Sequence, residues 1–406
     1  MGSDLHDQCV LPRALRLPIE KAFRIKAIKR TVRAGGHAMS SADERIDVLC
    51  LANSHGIGGA QLNAGLIASE LAKLGLRTSV GFLFEREIES THGHDDVFVI
   101  APSAPRGPIK LASFLLSARR EIARRKPRFI IGFQPASNVI AAATAKLIPG
   151  CHVVATQRNP SAFQSRPGRI FDLVAGACGL YRANIAVSET VAGSFDSYPQ
   201  SYRRRMTVVH NATPSLAASL DGKAASRAIL GIEPHARVIG CVGRLHPQKN
   251  FILAIRAHAQ LQDDSQLYLA GTGPEEGSLR EEAASLGTTE RVHFLGSLSG
   301  ENLTRFYRSL DIMLFTSRYE GFGRVLVEAM SEGVPVVSSD IPIAREVGGD
   351  AVIFCGDDLQ EWKQRIIQVI DSPELRARLA SAGRTRAAFF STESMVNGYL
   401  QTLKQP

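Results

Sequence analysis

The feature that most constrains the fold is a rhythm of short apolar runs and longer helical patterns, which occurs twice along the 406 residues. In the first half the apolar runs fall at 46–52, 78–84, 96–101, 128–133, 152–156 and 184–188. In the second half they fall at 237–243, 266–271, 291–295, 311–316, 334–338 and 351–354. Runs that are apolar throughout and alternate with helices are typical of parallel sheets covered on both faces. The sequence therefore predicts an α/β chain with two doubly wound sheets.

The domain boundaries follow from where this rhythm stops and restarts. The first half ends on one helical pattern at 189–204, and an extended run then meets Pro214 and a polar stretch. We predict a Rossmann-like domain at 46–208 and a second one at 209–385. Helical pattern also runs from about 374 to the chain end. A ligand of such a pair would bind in the crevice at the carboxyl ends of the strands.

The charge is concentrated at the N-terminus. The net charge is +9, and residues 1–38 hold eight bases against three acids. We interpret 1–45 as a basic extension, either a membrane-touching helix around 13–33 or an upstream extension before Met39. The remainder is only mildly basic, which disfavours nucleic-acid binding. Its basic clusters at 119–128 and 203–205 are either solvated helix faces or contacts to anionic lipid.

Cysteine spacing and hydropathy bear on the compartment. The six cysteines are scattered without a Cys-x-x-Cys pair, so neither a zinc site nor a disulfide framework is indicated. No apolar run approaches the roughly 20 residues of a membrane helix. We expect a cytoplasmic protein, a monomer or weak dimer, with peripheral contact to the inner face of the cytoplasmic membrane as a further expectation.

The first candidate for chemistry is the segment 320–328, which follows an apolar strand and opens a helix. Gly321 and Gly323 let a ligand approach the backbone, and the free N–H groups of the next helical turn suit a phosphate. With helical spacing, the carboxylates of Glu320 and Glu328 would be roughly 12 Å apart on one face. That span fits a sugar, a diphosphate and a ribose. The alternative is two surface glutamates beside an ordinary helix start.

The second candidate is the strand-end segment that contains Gly243, Arg244 and Lys249. Two cations at the carboxyl edge of a sheet can neutralise a departing diphosphate without a metal. The alternative is a surface loop with two solvated bases. No Asp-x-Asp pair is present, so a carboxylate-bound Mg²⁺ is not indicated.

Two further candidates lie in the first half. The Gly-rich turn at 53–61 contains Gly58 and Gly59, and it suits an anion or sugar at close range. Gln61 breaks the dinucleotide fingerprint, which disfavours an oxidoreductase. Arg158 and Asn159 follow another strand and would face the crevice, unless they only form a turn before Pro160.

Together these motifs resemble glycosyltransferase family 4, whose members are retaining enzymes with the two-domain GT-B fold. The motifs are Gly243-Arg244 with Lys249, the runs 269–274 and 292–296, and Glu320-Gly-Phe-Gly with Glu328. The resemblance implies that Arg244 and Lys249 hold the donor diphosphate, that Glu320 contacts the sugar, and that Glu328 holds the ribose. It further implies donor contacts from Gly321, Phe322, Gly323, Arg324 and Val325, a base beside Phe294 and Leu295, and contacts of Gly58 and Gly59 to the phosphates or acceptor.

The resemblance also implies the activity. It makes 46–208 the acceptor domain, 209–385 the nucleotide-sugar domain, and 386–406 a helix that crosses back to the acceptor domain. The expected reaction moves a hexose or N-acetylhexosamine from a nucleotide-diphosphate sugar, UDP before GDP, to a polyprenyl-linked or polysaccharide acceptor in α linkage. No cofactor or metal is expected. Many relatives have a His near Arg158 and Asn159, so their role on the acceptor or sugar side is less closely defined. A nucleotide-sugar epimerase and a non-catalytic lipid-surface module are the alternatives.

Overall fold

The computed structural model describes residues 45–54, 59–85, 96–213, 216, 221–261 and 263–405. Apart from Arg45, the predicted basic extension lies outside these residues, and so does Gly58. The strands are β1 Val48–Ser54, β2 Thr78–Phe84, β3 Val97–Ala101, β4 Phe129–Gly132, β5 His152–Gln157, β6 Ala183–Ala186, β7 Met206–Val208, β8 Val238–Val242, β9 Gln266–Ala270, β10 Val292–Gly296, β11 Ile312–Phe315, β12 Val336–Ser339 and β13 Val352–Cys355.

Helices connect these strands throughout both halves. The α-helices are α1 Gly59–Lys73, α2 Pro108–Arg124, α3 Pro135–Ala145, α4 Arg166–Ala177, α5 Glu189–Gly193, α6 Gln200–Arg203, α7 Lys223–Leu230, α8 Phe251–Ala259, α9 Glu276–Ser285, α10 Gly300–Ser309, α11 Arg324–Ser331, α12 Pro342–Gly348, α13 Leu359–Asp371, α14 Pro373–Ala387 and α15 Thr392–Lys404.

The strands form two parallel sheets with the same internal order. The first sheet runs β3-β2-β1-β4-β5-β6-β7, and the second runs β10-β9-β8-β11-β12-β13. All neighbouring strands pair in parallel. Each sheet therefore has a switch point beside its first strand, where ligands bind in folds of this type. The prediction of two doubly wound Rossmann-like sheets is confirmed.

The structure differs from the sequence-based elements mainly near the predicted domain join. Strand β7 was not predicted, because it is a short edge strand whose residues are only partly buried. The helix expected at 189–204 is two short helices, with Pro199 at the start of the second. The last helical stretch is also divided, and Ser391 caps the N-terminus of α15 with its side chain. Helix α7 lies close to the polar stretch that follows Pro214, where no helix was predicted.

The final helix belongs to the core of the first sheet. Met395, Val396, Tyr399 and Leu400 of α15 are buried in the same apolar cluster as β1 and β2. The Tyr399 ring lies parallel to that of Phe133, with centroids 6.5 Å apart. Helix α15 thus packs on the half that contains β1, while the exact domain boundaries at 208 and 385 stay predictions.

The two halves touch each other on one side of the crevice. The Ser188 hydroxyl donates a hydrogen bond to the Gly321 carbonyl at 2.8 Å. The rings of Phe163 and Tyr319 stack with centroids 3.6 Å apart. The Glu346 carboxylate of α12 accepts hydrogen bonds from the amides that begin α5. These contacts fix the orientation of the second sheet relative to the first.

Candidate active site

A cleft of about 1090 Å³ lies between the two halves, at the carboxyl ends of their strands. From the first half it is lined by residues at or after the ends of β1, β2, β3, β4, β5 and β7, and from the second by residues that follow β8 and β11. The predicted site residues that line it are Gly59, Arg158, Asn159, Arg244, Lys249, Glu320, Gly321, Phe322, Gly323 and Arg324. The structure therefore brings most of the predicted residues together, although they come from four separate segments.

Lys249 and Glu320 form an ion pair in the cleft. The Lys249 ammonium lies 2.6 Å from Glu320 Oε1, and the two side chains are 15% and 12% exposed. The Ser317 hydroxyl donates to the same oxygen at 2.9 Å, and the Gln248 amide donates to Oε2 at 3.3 Å. The Glu320 carboxylate is thus held in one orientation. The ammonium has three donors, so it can keep this pair and still contact a phosphate oxygen.

Close backbone packing places Arg244 at the cleft. Gly271 has φ +148°, and a Cβ there would lie 1.9 Å from the Gly243 carbonyl oxygen. The turns after β8 and β9 can therefore approach only because this residue is glycine. Arg244 follows Gly243, is exposed and lines the cleft, whereas Gly243 itself does not line it. Within the part of the chain that the structure describes, the Arg244 side chain has no hydrogen-bond partner.

The segment 320–323 leads into α11. Gly323 adopts a left-handed conformation with φ +78°, and no side chain caps the helix that follows. The first-turn N–H groups of α11 are therefore available to an anion in the cleft. Gly321 fits tightly against the other half, because a Cβ on it would lie 1.7 Å from the Arg158 carbonyl oxygen. This segment thus connects the anion-binding helix end to the first half.

Glu328 does not line the cleft. It is 3% exposed, and its oxygens accept hydrogen bonds from Arg324 Nε at 2.7 Å and from the Tyr307 hydroxyl at 2.8 Å. The helical spacing assumed between Glu320 and Glu328 does not hold, because α11 begins only at Arg324. A contact of Glu328 with the ribose stays a prediction. Gly323 needs a positive φ, and this breaks the helix between the two glutamates.

Three other predicted donor residues lie outside the cleft lining, namely Phe294, Leu295 and Val325. All three are partly buried. The Arg280 guanidinium lies 4.1 Å from the centroid of the Phe294 ring, in a cation–π contact. Contacts of these residues with a nucleotide base stay a prediction.

Arg158 is the most unusual group on the first-half side. Its Nη2 donates to Asn211 Oδ1 at 2.7 Å, while its Nη1 is buried with no hydrogen-bond partner. Burial lowers the pKa of the guanidinium, and the nearby Tyr399 hydroxyl opposes this effect. Arg158 lines the cleft together with Asn211, so its positive charge suits an anionic or hydroxyl-rich ligand there. Asn159 beside it is exposed.

A buried carboxylate supports the strand that carries Arg158. Asp172 is 1% exposed and accepts hydrogen bonds from the Tyr202 hydroxyl at 2.6 Å and from Gln157 Nε2 at 3.0 Å. Burial raises the pKa of Asp172, although hydrogen bonds from Tyr202, Tyr181, Asn138 and Gln157 act in the opposite direction. The network fixes Gln157 and hence the start of the Arg158 segment.

Several residues that line the cleft were not singled out as site residues from the sequence, although Asn53 lies in the Gly-rich turn that was. They include Asn53, Gln134, Asn211, His246 and Gln248. Gln134 Oε1 accepts from the Asn53 amide at 3.1 Å, and Asn53 Oδ1 accepts from the Ser137 amide at 3.0 Å. Both side chains stand at strand ends, and a search for polar residues at the carboxyl ends of strands would have found them.

Two kinds of feature are absent from the described residues. There, no group of three or more His, Cys, Asp or Glu side chains is arranged to hold a metal ion. No described helix has both the length and the hydropathy needed to span a bilayer.

Both halves of the chain match models of known families. Residues 57–214 match the family model described as Glycosyltransferase Family 4, and residues 222–386 match the one described as Glycosyl transferases group 1. The chain belongs to glycosyltransferase family 4. The resemblance to this family that the sequence motifs indicated is thereby confirmed.

Individual members of the family are similar to this chain over part or all of its length. A D-inositol 3-phosphate glycosyltransferase of Mycolicibacterium vanbaalenii is 32% identical over 232 residues, 53% of this chain and 51% of the relative. The chain thus spans about half the length of the curated relatives it matches. Anabaena Alr3699/HepE in complex with UDP and glucose has a TM-score of 0.77 at 22% identity, over 89% of this chain and 100% of that one. WaaG, a glycosyltransferase involved in lipopolysaccharide biosynthesis, has a TM-score of 0.70 at 16% identity, over 88% and 100%. These two likenesses show the shared fold.

Proposed function

We propose that the chain is a retaining hexosyltransferase that moves a hexose or N-acetylhexosamine from a nucleotide-diphosphate sugar to a polyprenyl-linked or polysaccharide acceptor in α linkage. One observation carries the proposal. Arg244, the Lys249–Glu320 pair and the uncapped start of α11 converge in a single cleft. UDP is our preferred nucleotide over GDP. The Anabaena relative was crystallised with UDP and glucose, which supports this choice.

The donor diphosphate would lie between the cations and the helix end. As the bond from the anomeric carbon to the phosphate oxygen breaks, the leaving diphosphate gains negative charge. Arg244, Lys249 and the first amides of α11 would stabilise that charge, and this lowers the barrier because the interactions strengthen in the transition state. These groups supply the positive charge from the protein, so the proposed reaction uses no cofactor or metal.

Glu320 would hold the transferred sugar. Its carboxylate is oriented by Lys249 and Ser317, and it can still accept hydrogen bonds from sugar hydroxyls. An acceptor hydroxyl would attack from the same face as the departing phosphate, and its proton would pass to the leaving phosphate oxygen. The new bond then has the configuration of the old one, which gives retention.

The acceptor would approach from the first half. The Arg158 guanidinium lines the cleft on this side, which supports an acceptor that carries phosphate or many hydroxyls. Gly59 also lines the cleft, with open space around its Cα. The names of the relatives, an inositol 3-phosphate glycosyltransferase and a lipopolysaccharide enzyme, fit acceptors of these kinds. We further propose a cytoplasmic location with peripheral contact to the inner face of the membrane.

Donor screening tests this proposal first. Thermal shifts would be measured with UDP- and GDP-sugars, each with and without Mg²⁺, followed by turnover with polyprenyl-diphosphate oligosaccharide, polysaccharide and inositol 3-phosphate acceptors. We expect a shift with one UDP-sugar that does not need Mg²⁺. Conversion of the donor without any acceptor would instead indicate an epimerase. Absence of a shift with every sugar nucleotide would refute the proposal.

A matched pair of lysine variants tests the role of the ion pair. Lys249→Met should lower turnover on the order of 10²-fold, because one charge-assisted contact to the leaving group is lost. Lys73→Met is the control, since Lys73 also pairs with a glutamate, Glu70 at 2.7 Å, but on the surface with 71% of the side chain exposed. Wild-type turnover in Lys249→Met would contradict the assignment.

A further inference from the structure

Exposed apolar side chains are concentrated on two helices of the first half. Among the described residues, fourteen large hydrophobic side chains are exposed, and seven of them lie on α2 and α4. These seven are Ile109, Leu111, Leu115, Leu116, Ile170, Phe171 and Val174. The second half contributes only Ile229, Leu286, Ile367 and Phe389, which lie on separate segments. Single exposed apolar residues are normal, but a concentrated group marks an interaction surface.

Helix α4 packs against the first half through one face and carries apolar side chains on the other. Its inner face buries Asp172, Ala175 and Gly176. Ile170, Phe171 and Val174 are 57%, 61% and 53% exposed, and their spacing of three and four residues places them together on the outer face. A helix in contact with water alone usually carries polar residues on its outer face. The apolar outer face of α4 is therefore better suited to contact with an apolar partner than with water.

Helix α2 presents a similar outer surface. Only Phe114, Ala118 and Ile122 are buried, and they form a single narrow stripe. Ile109 and Leu116 lie seven residues apart, so they project in a similar direction, and they are 85% and 64% exposed. The first turns of α2 thus add apolar groups to the same region of the surface.

The two helices lie in one layer. Both pack against α3, which stands between them. The segment before α2 also lines the cleft through Ser103, Ala104 and Arg106. The apolar surface therefore adjoins the cleft mouth on the first-half side.

Positive charge surrounds the apolar residues. The two helices carry the bases Lys110, Arg119, Arg120, Arg124, Arg166 and Arg169. Their acids are Glu121, which pairs with Arg124 and Arg125, and the buried Asp172. The surface thus combines exposed apolar groups with an excess of arginine and lysine. This composition is typical of helices that lie in the interface of an anionic membrane.

We propose that α2 and α4 form a docking surface for an anionic lipid bilayer. The outward helix faces are convex, so they suit a flat lipid interface, and the basic side chains can extend to the head groups from apolar stems. Docking in this way holds the cleft mouth next to the bilayer. That consequence rests on the proposed function, because it places a lipid-linked acceptor beside Arg158.

Vesicle sedimentation with the full chain tests the docking surface. Vesicles of phosphatidylcholine with 30% phosphatidylglycerol, about 100 nm wide, would be compared with vesicles of phosphatidylcholine alone. The apolar variant combines Ile170→Ser, Phe171→Ser and Val174→Ser, and the charge variant combines Arg119→Gln with Arg120→Gln. All five side chains are exposed, so the fold should be retained. Ile229→Ser with Ile367→Ser is the control, because these residues are 54% and 38% exposed in the second half.

We expect the wild type and the control to bind the anionic vesicles and to bind the neutral ones much less. The charge variant should bind about 30-fold more weakly, from two lost bases. The apolar variant should bind the anionic vesicles at least about tenfold more weakly. Unchanged binding of both variants, as would follow if the basic extension alone held the membrane, would overturn the proposal. So would a lipid-free dimer that the apolar variant dissociates, because the surface would then serve a second copy of the chain.

Donor thermal shifts on the same variants separate this proposal from the proposed function. Lost vesicle binding with an unchanged donor shift would support the docking surface. Retained vesicle binding in the variants would refute the surface whatever the donor result. No donor shift in the wild type, with vesicle binding that depends on α2 and α4, would refute the transferase proposal alone.

Discussion

A methyl group at position 321 should separate the two halves of the cleft. In Gly321→Ala, the new Cβ would lie 1.7 Å from the Arg158 carbonyl oxygen, on the opposite half. Gly321 does not have a positive φ, so backbone strain is not the cause of the expected effect. The clash is with backbone atoms, which cannot rotate away as a side chain would. The segments must therefore move apart.

The distance by which the two segments must move apart sets the size of the expected effect. Real Cβ atoms essentially never approach within 3.0 Å, so the methyl group and the carbonyl must separate by about 1.3 Å. The 2.8 Å hydrogen bond from the Ser188 hydroxyl to the Gly321 carbonyl would be strained or lost. A misplacement of about 1 Å can cost roughly 10²-fold in rate. Overpacking of this kind also destabilises a fold by about 1–3 kcal/mol.

Two measurements test these effects. Turnover of the sugar nucleotide found in the donor screen gives the loss of rate, and thermal unfolding gives the loss of stability. We expect Gly321→Ala to remain folded at 25 °C and to lose about 100-fold in turnover. Gly277→Ala is the control, because its Cβ would meet open space within α9 and alanine favours helix. Ser188→Ala removes the hydrogen bond to Gly321 and also the cap that the Ser188 hydroxyl gives to the Val191 amide of α5, so it should cost about 1–2 kcal/mol. Wild-type turnover in Gly321→Ala would refute the tight contact.

Three further predictions concern pH and thiols. Burial lowers the pKa of His258 from 6.5 to about 4, so stability should fall by up to about 3 kcal/mol as pH drops from 6.5 towards 4, and His258→Gln should flatten this slope in thermal unfolding. Burial alone would raise the pKa of Glu346, but hydrogen bonds, first from His210, lower it from 4.5 to about 2. The contribution of Glu346 to the free energy of unfolding should therefore be lost as pH falls from 4.5 towards 2, and Glu346→Gln should remove this pH dependence of stability. Exposed Cys178 should react with a maleimide in the native protein, whereas buried Cys50, whose pKa burial raises, should react only after unfolding, as mass spectrometry would show.

The sheets were predictable because their strands are short and apolar throughout. The residues of β1, β4 and β6 are almost all buried, so the local pattern alone identifies them. Strand β7 has only partly buried residues at a sheet edge, and no local pattern distinguishes it from an extended linker. Its place depends on pairing with β6, a contact that the local sequence does not encode.

The second half of the candidate site was predictable for a related reason. Arg244, Lys249 and Glu320 each follow a strand of one sheet, and parallel strands bring their carboxyl ends to one edge. The contact of Gly321 with Arg158 joins residues of two different sheets, and the burial of Glu328 depends on Tyr307 of another helix. These relations depend on packing over long sequence separation.

The position of α15 bears on how the chain is made. This helix is synthesised after the whole of the second sheet, yet it covers an apolar face of the first sheet. The core of the first sheet therefore stays open on this side until α15 has left the ribosome. A nascent chain of this topology needs protection from aggregation while the second half is being made.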